Sequence, residues 1–482
     1  MRLLDGSVRA ALDPLSAKKI KKSRAIVEKI AAGQNPVYGI NTGFGSLASQ
    51  KIPKENLLEL QKNLVLSHAC GVGEILSEKE AKAILFLRLN ELCRGYSGVR
   101  MNLVEHMLRI FNSPASPRIP SQGSVGASGD LAPQAHMAIL LLGEGDAFFN
   151  GKLMPSREIL RALKLSPLQL EAKEGLSLIN GTQAMQAVGG LALSSAYRIF
   201  ETAQKTAALS LEALTGSPVP FEEKIQKLKP HPGQIETGRT LTQLLKDSPL
   251  RKSHLLNDLR VQDPYSLRCL PQVHGAVLDA LEFSRKTVER EMESVTDNPL
   301  VFPDGKIISA GNFHGQALSF AFDFAAMALT SLGNISERRT FQLILGQAPR
   351  LKPFLAQRPG LESGWMIAQV AAAALASENK TLAHPASSDS IPTSANQEDF
   401  VSMGMNAALK LKRILQNVSR IVAIEMLCAA CAMESHKPLK PGKGIRDFIK
   451  KLNAQIDTSP RERPLSPEIE KAHLLILDGY FD

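Results

Sequence analysis

The sequence predicts a mainly α protein in which a large bundle of long helices follows a loop-rich N-terminal domain. Apolar residues recur at helical spacing, with charged residues opposite them, over the segments 183–213, 274–295, 315–345 and 405–433. Alternating strand patterns are few and short. Because these helical segments exceed the usual helix length, we expect them to lie side by side as a bundle.

The domain organisation follows from where the loops fall. Polar, glycine-containing segments are frequent in residues 1–200, including the stretch around Ala127, Ser128 and Gly129, whereas residues 201–482 hold most of the long helical patterns. We therefore expect an N-terminal domain over 1–200, and a long-helix bundle with a C-terminal helical region over 201–482. No repeat, low-complexity tract or proline-rich linker divides the chain, so the two parts form one continuous unit.

Composition argues against several protein classes. The 482 residues carry a formal net charge of +10 with 5% aromatic residues, and the basic residues are scattered apart from 18–24 and 436–451. Scattered charge without aromatic residues for stacking makes a nucleic-acid-binding protein an unfavoured alternative. The apolar runs look too short to span a membrane, one of them carries Glu425, and the N-terminus lacks an apolar signal core. A cytoplasmic location is expected.

The five cysteines do not form a disulfide framework in so long a chain. Cys428 and Cys431 have the CxxC spacing but lie in an alanine-rich helical run without a second cysteine pair. Two small buried thiols on one helix face are therefore favoured over a zinc or redox site.

The stretch "GSVGASGDLAP" at 123–133 allows three interpretations. A phosphate-binding loop would need a lysine followed by serine or threonine, or the dinucleotide-binding glycine spacing, and neither is present. A tight turn into a helix, with Asp130 as N-cap, is favoured by the local sequence alone. The third interpretation is chemical: the amide nitrogen of Gly129 attacks the carbonyl carbon of Ala127, and two waters leave, one of them carrying the Ser128 hydroxyl. The product would be an electrophilic methylidene-imidazolone.

A resemblance over most of the chain decides between them. "GSVGASGDLAPQAHMA" resembles the signature of the aromatic amino acid lyase family, as do "VYGINTGFG", "LINGTQA", "VQDPYSLRC", "GNFHGQ" and "SANQED". The similarity extends from about residue 30 to 430. It implies that Ala127, Ser128 and Gly129 form a 4-methylidene-imidazol-5-one group, with no external cofactor and no metal. It also implies an amino-acid substrate and a homotetramer with shared active sites.

The resemblance assigns roles to residues on other loops. Tyr38 is expected to be the base that removes the β-proton, and Tyr265 resembles the family's second active-site tyrosine. Arg268 suits the substrate carboxylate because a guanidinium binds a carboxylate through two hydrogen bonds. The residues expected around the prosthetic group are Asn180, Gln262 and Phe313. The amide side chains of Asn180 and Gln262 could donate hydrogen bonds to the carbonyl oxygen of the prosthetic group as negative charge develops there.

Two pairs of residues indicate the substrate. Ser67-His68 and Gln397-Glu398 match family members that act on histidine, whereas members acting on phenylalanine typically have an apolar first pair and lack the glutamate. A histidine and a carboxylate suit an imidazole, which has one donor and one acceptor nitrogen. The resemblance therefore implies conversion of L-histidine to trans-urocanate and ammonia, the first step of histidine degradation. The alternatives are an ammonia-lyase or aminomutase for tyrosine or phenylalanine, and a catalytically inactive family member.

Three features depart from the family pattern. Phe400 stands where the histidine-specific pattern has a histidine, which removes a polar group near the site. The region before residue 30 is shorter than usual, so its packing is expected to differ. Trp365 replaces a smaller residue, and we interpret it as a core substitution.

Overall fold

Helices dominate the part of the chain that the structure describes, residues 3–33, 35–256, 258 and 260–482 of a computed structural model. In chain order the helices are α1 (Pro14–Ala31), α2 (Leu57–His68), α3 (Glu78–Leu92), α4 (Met101–Phe111), α5 (Leu131–Leu141), α6 (Ser156–Ala162), α7 (Glu174–Ile179), α8 (Gln183–Ala213), α9 (Glu223–Lys227), α10 (Pro232–Leu244), α11 (Pro249–Lys252), α12 (Tyr265–Arg268), α13 (Leu270–Met292), α14 (Gln316–Ile344), α15 (Met366–Leu382), α16 (Gly404–Glu434), α17 (Lys443–Asn453) and α18 (Ser466–Leu477). The mainly α fold predicted from helical periodicity is confirmed.

The strands are short and antiparallel. They are β1 (Val72–Ile75), β2 (Ala115–Pro117), β3 (Pro120–Gln122), β4 (Asp146–Phe149), β5 (Lys152–Pro155), β6 (Leu300–Val301) and β7 (Ile307–Ile308). β1 pairs with β3, β4 lies between β2 and β5, and β6 pairs with β7. Val72 is paired with Gln122, and this pairing holds the chain after α2 beside the start of the 123–133 loop.

The four longest predicted helical segments correspond to α8, α13, α14 and α16. The largest difference is at α13, which begins four residues before the predicted 274 and ends at Met292. Pro271 lies in its first turn, where a missing N–H costs no helical hydrogen bond. Periodicity did not reveal this start, because the first turn lies ahead of the regular apolar pattern.

Contacts between Cα atoms divide the chain into two units. The first comprises Met1–Leu191, Lys286–Phe322 and Pro385–Leu409, and the second comprises Ala192–Arg285, Asp323–His384 and Lys410–Asp482. The division falls within α8, α13 and α14, and within α16. Two later segments thus group with the N-terminal residues. The boundary near residue 200, drawn from sequence, stays a prediction.

A buried carboxylate links three long helices in the second unit. Glu425 on α16 accepts hydrogen bonds from Ser210 Oγ (2.6 Å) and Ser336 Oγ (2.6 Å). It also pairs with both Arg339 Nε (2.6 Å) and Nη2 (2.8 Å). Glu425 and Arg339 are fully buried, so each charge depends on the other for compensation.

The apolar helices α14 and α16 are each long and apolar enough to cross a membrane by length and composition alone. The prediction that the apolar run around Glu425 is too short was therefore wrong about length, because α16 extends beyond that run on both sides. That prediction did not cover α14. The run in α5 is short, as predicted. In the structure, 61% of the most apolar window of α14 and 89% of that of α16 are buried inside the protein. Such burial is typical of core helices. Cys428, Cys431 and Trp365 are also buried, as expected for core residues.

Replacing Glu425 should test how far the bundle depends on this ion pair. Glu425→Leu would leave the Arg339 guanidinium buried without its carboxylate, and we expect a loss of about 3–5 kcal/mol of unfolding free energy. Thermal or urea unfolding measures it. Glu223→Leu is the control, because its pair with Lys227 is solvent-exposed and its loss should leave the unfolding midpoint unchanged. Equal midpoints for both variants would contradict this role of Glu425.

Candidate active site

A cavity of about 510 Å³ lies in the first unit and is lined by five of the residues predicted from sequence. They are Tyr38, His68, Ser128, Asn180 and Glu398. Ser67 also lines it. These residues come from a loop, the end of α2, the 123–133 loop, the end of α7 and the loop before α16. The fold therefore brings together groups that are up to several hundred residues apart in the sequence.

The 123–133 loop is held against the turn that follows α7. The Ser128 carbonyl oxygen accepts hydrogen bonds from the Gly181 amide (3.2 Å) and from Asn180 Nδ2 (3.2 Å). The Gly181 carbonyl in turn accepts from the Asp130 amide (2.8 Å). These bonds lie on either side of Gly129, whose φ of +73° belongs to the left-handed region. A Cβ on Gly129 would lie 2.1 Å from the Gly181 oxygen, so only glycine fits there.

A second segment holds the same loop from the other side. Met403 donates its amide to the Val125 carbonyl (2.9 Å), and Ser402 Oγ donates to the Gly126 carbonyl (3.0 Å). Ala127 is buried in a small apolar cluster with Val401 and Met403. The loop is thus fixed by backbone and small-side-chain contacts, although its sequence alone favoured an ordinary turn.

Asp130 precedes α5, as the sequence predicted, but its side chain does not cap that helix. The carboxylate accepts instead from Ser124 Oγ (2.7 Å) and the Met185 amide (2.7 Å). Burial raises the pKa of Asp130 to about 6, and these hydrogen bonds oppose the shift. The capping role inferred from sequence is therefore wrong, because tertiary donors occupy the carboxylate.

Glu398 faces the loop directly. Its Oε1 accepts a hydrogen bond from Ser128 Oγ (2.7 Å), and its Oε2 accepts from Thr393 Oγ1 (2.7 Å). Backbone hydrogen bonds in both directions between Thr393 and Glu398 fix this carboxylate from behind. Gln397, its neighbour in sequence, is exposed and does not line the cavity.

His68 and Tyr38 are the other titratable side chains that line this cavity. His68 Nδ1 lies 3.2 Å from Ser67 Oγ. Burial lowers the pKa of His68, and the nearby Glu398 carboxylate opposes part of that shift. Burial raises the pKa of Tyr38 above its ordinary value; the hydrogen bond from Gly45 opposes this, while the charge of Glu398 adds to it. Both side chains are therefore favoured in their neutral forms near neutral pH.

Three other predicted residues lie in the second unit and line a different cavity, of about 790 Å³. They are Gln262, Tyr265 and Arg268. Tyr265 and Arg268 both lie on α12, with the guanidinium carbon of Arg268 4.5 Å from the centre of the Tyr265 ring. Tyr265 is 70% exposed. The structure does not place these side chains with Ser128 and Glu398.

Phe313 is half-buried in the first unit and does not line the cavity with Ser128. Its neighbour His314 is stacked on Phe400, with ring centres 6.0 Å apart and an interplanar angle of 11°. His314 Nε2 also lies 3.2 Å from the Phe400 carbonyl oxygen. At the position where the histidine-specific pattern has a histidine, the Phe400 ring therefore makes an aromatic contact with His314.

The chain matches one protein family along most of its length. The sequence profile "Aromatic amino acid lyase" covers residues 1–454. The chain belongs to the aromatic amino acid lyase family. This lyase is 50% identical over 469 residues to the histidine ammonia-lyase of Myxococcus xanthus, which covers 97% of this chain and 92% of that protein.

Solved structures of the family superpose closely on this lyase. Histidine ammonia-lyase from Trypanosoma cruzi gives a TM-score of 0.91 at 40% identity, covering 98% of this chain and 89% of that one. Tyrosine aminomutase from Streptomyces globisporus gives 0.94 at 36% identity, covering 100% and 94%. Close superposition on enzymes with different names means that the fold alone does not identify the substrate.

Sequence reasoning missed the buried charges of the lyase that support its site. Arg88 and Glu91 on α3 form one pair (3.5 Å), and Lys173 and Asp297 form another (2.8 Å). All four side chains are at most 2% exposed. Arg88 was detectable in principle, because it interrupts the apolar run "AILFLRL", where a charge needs a buried partner.

Proposed function

We propose that this lyase removes ammonia from L-histidine and releases trans-urocanate, the first step of histidine degradation. The observation that carries the proposal is the presence of His68 and Glu398 in one cavity with Ser128. The histidine ammonia-lyases of Myxococcus xanthus and Trypanosoma cruzi, at 50% and 40% identity over nearly the whole chain, support the same substrate.

The side chains fit an imidazole by hydrogen-bonding capacity. A neutral imidazole has one N–H donor and one acceptor nitrogen. An ionised Glu398 accepts only, so it suits the N–H, while a neutral His68 or the Ser67 hydroxyl can donate to the other nitrogen. A phenyl ring would leave these groups without partners, and a site with unpaired polar groups discriminates strongly against such a substrate.

The second part of the proposal is that Ala127, Ser128 and Gly129 become a methylidene-imidazolone. A bond forms between Gly129 N and the Ala127 carbonyl carbon. One water carries away the Ala127 oxygen with the amide protons of Ser128 and Gly129, and the other carries the Ser128 hydroxyl with its Cα proton. When formed, this group supplies an electrophile that makes the amine a better leaving group.

The residues present fit this group. Gly129 has no room for a side chain, and within the described residues its amide donates no hydrogen bond, so its nitrogen is available. The Ser128 carbonyl, which the ring would retain, already has two donors. Among the described residues, the buried Asn180 Oδ1 has no hydrogen-bond partner, while Asn180 Nδ2 donates to the Ser128 carbonyl. The family match supports the same group.

Tyr38 is proposed to remove the β-proton at its phenolic oxygen while the Cα–N bond breaks, and the released electron pair forms the double bond of urocanate. Its loop contains Gly39, Gly43 and Gly45, and the family resemblance assigns the base to this position. Because burial raises the pKa of Tyr38, its phenol needs a positive neighbour or a higher pH to act as a base.

The remaining site residues are proposed to come from another subunit of a cytoplasmic homotetramer. Gln262, Tyr265 and Arg268 line a cavity of their own in the second unit, which supports a site completed by a second copy of the chain. In that arrangement Arg268 would bind the substrate carboxylate and Gln262 would donate to the prosthetic group. Gln397 and Phe313 do not line the Ser128 cavity. In the assembled site, Gln397 is proposed to contact the substrate and Phe313 the prosthetic group.

Intact mass tests the prosthetic group directly. We expect the folded protein to weigh two waters less than its sequence, because ring closure and dehydration each release one. Ser128→Ala has no β-hydroxyl to lose and should not form the methylidene group. Electrospray mass spectrometry of soluble protein distinguishes the two. A wild-type chain of full mass would indicate a catalytically inactive family member instead.

A substrate panel tests specificity. We expect urocanate absorbance with L-histidine and little cinnamate or coumarate absorbance with L-phenylalanine or L-tyrosine. Glu398→Gln should lower kcat/KM for histidine by roughly 100-fold, because the amide is a weaker acceptor for the imidazole N–H. Glu158→Gln, an exposed glutamate on α6, is the matched control. Activity on tyrosine with none on histidine would contradict the proposed substrate.

The pH profile tests Tyr38. Because its pKa is raised, the deprotonated fraction is small near neutral pH, and kcat/KM should increase from about pH 7 toward about pH 10. Tyr38→Phe should lower the rate by roughly 100-fold or more and remove this increase. Tyr480→Phe, in the second unit, should leave the profile unchanged. A Tyr38→Phe variant with the wild-type profile would assign the base elsewhere.

A further inference from the structure

Arg88 connects α3 to the turn that faces the reactive loop. Its side chain is fully buried, its Nε donates to Gln134 Oε1 (2.8 Å), and its Nη2 donates to the Asn180 carbonyl (2.5 Å) and to Gln183. A guanidinium is suited to this position, because its planar fork reaches acceptors in fixed directions. Arg88 does not line the cavity with Ser128, so it lies outside the proposed substrate site.

Gln134 makes the second connection. It lies on α5, one turn beyond Asp130, and is fully buried. Its Nε2 donates to the Ile179 carbonyl (3.0 Å) and to the Gly181 carbonyl (2.7 Å). Arg88 and Gln134 together therefore hold three successive carbonyl groups, those of residues 179, 180 and 181.

The position of Gly181 determines that of Gly129. Gly181 donates to the Ser128 carbonyl and accepts from the Asp130 amide, so it constrains the peptide groups before and after Gly129. Gly181 is also packed closely against Arg88 and Thr296. A Cβ on Gly181 would lie 2.8 Å from Arg88 Nη2 and 2.5 Å from Thr296 Oγ1. Gly181 therefore cannot move away from the loop without displacing this buried network.

We propose that Arg88 and Gln134 are positioning residues for ring closure: by fixing Asn180 and Gly181 against Ser128, they hold Gly129 N near the Ala127 carbonyl carbon. This inference rests on the proposed function, because it concerns formation of the same prosthetic group. It goes beyond that proposal because it states that the rate at which the prosthetic group forms depends on two side chains that do not line the cavity.

The chemistry explains why position matters. When the Gly129 amide loses its proton, the negative charge is shared with the Ser128 carbonyl oxygen. Attack of the nitrogen then passes the charge to the Ala127 oxygen, which leaves as water with that proton and the Ser128 amide proton. Gly181 N and Asn180 Nδ2 already donate to the Ser128 oxygen, and donors aligned in advance stabilise developing charge most effectively. A misplacement of about 1 Å in such a site slows a reaction on the order of 100-fold.

The experiment follows water loss in newly made protein. Arg88→Lys keeps a positive charge beside Glu91 but loses the planar fork of the guanidinium. Gln134→Leu keeps the volume but loses all three side-chain hydrogen bonds, to Arg88 and to the carbonyls of Ile179 and Gly181. Arg339→Lys and Gln234→Leu are the matched controls, since both wild-type side chains are buried in the second unit. Intact mass is recorded at intervals after a pulse of cell-free synthesis, and the unfolding midpoint is measured for each soluble variant.

We expect Arg88→Lys and Gln134→Leu to lose two waters about 10-fold to 100-fold more slowly than wild type. The controls should lose them at the wild-type rate, even where their unfolding midpoints fall by as much. Equal rates for all four variants, with a wild-type chain that does lose two waters, would overturn this inference alone. Insoluble Arg88 and Gln134 variants beside soluble controls would also overturn it, by assigning both residues to folding. A wild-type chain of full mass would overturn the proposed function as well.

Discussion

The contact between residues 128–130 and Gly181 leaves no space for a side chain on either glycine. Two backbone hydrogen bonds across it fix the peptide groups on both sides of Gly129, while the Gly129 nitrogen itself stays without an acceptor among the described residues. Most of the site is arranged around this contact. Asn180 reaches Ser128 because its backbone continues into Gly181, and Glu398 reaches the Ser128 hydroxyl from the loop that holds residues 125 and 126.

Holding that contact requires buried polar groups, which are unfavourable unless they are paired. Arg88, which bonds to Gln134 and to the Asn180 carbonyl, is paired with Glu91, and a second buried pair in the same unit joins Lys173 to Asp297. Burial raises the pKa of Glu91 and lowers that of Lys173, while the opposite charge opposes the shift in each case. The second unit has a comparable arrangement around Glu425, where the buried charge joins three long helices.

The cavity itself combines groups held in defined protonation states. Burial lowers the pKa of His68 and raises that of Tyr38, so both favour their neutral forms near neutral pH, in the cavity that Glu398 also lines. A neutral histidine can donate or accept a hydrogen bond, which suits a heterocyclic ring. Phe400 does not line this cavity, and its ring is stacked on His314.

The sequence by itself determined the helical fold and the four long helices, because periodicity is a property of neighbouring residues. It singled out Ala127, Ser128 and Gly129 only through the family resemblance, since the local sequence favoured an ordinary turn. It also named Tyr38, His68, Asn180 and Glu398, through resemblance and not through spacing. Only the tertiary structure placed these four around Ser128, put Gln262, Tyr265 and Arg268 in another cavity, and gave Asp130 donors other than its own helix. Arg88 and Gln134 became visible only there, because the carbonyl groups they hold lie 45–92 residues away in the chain.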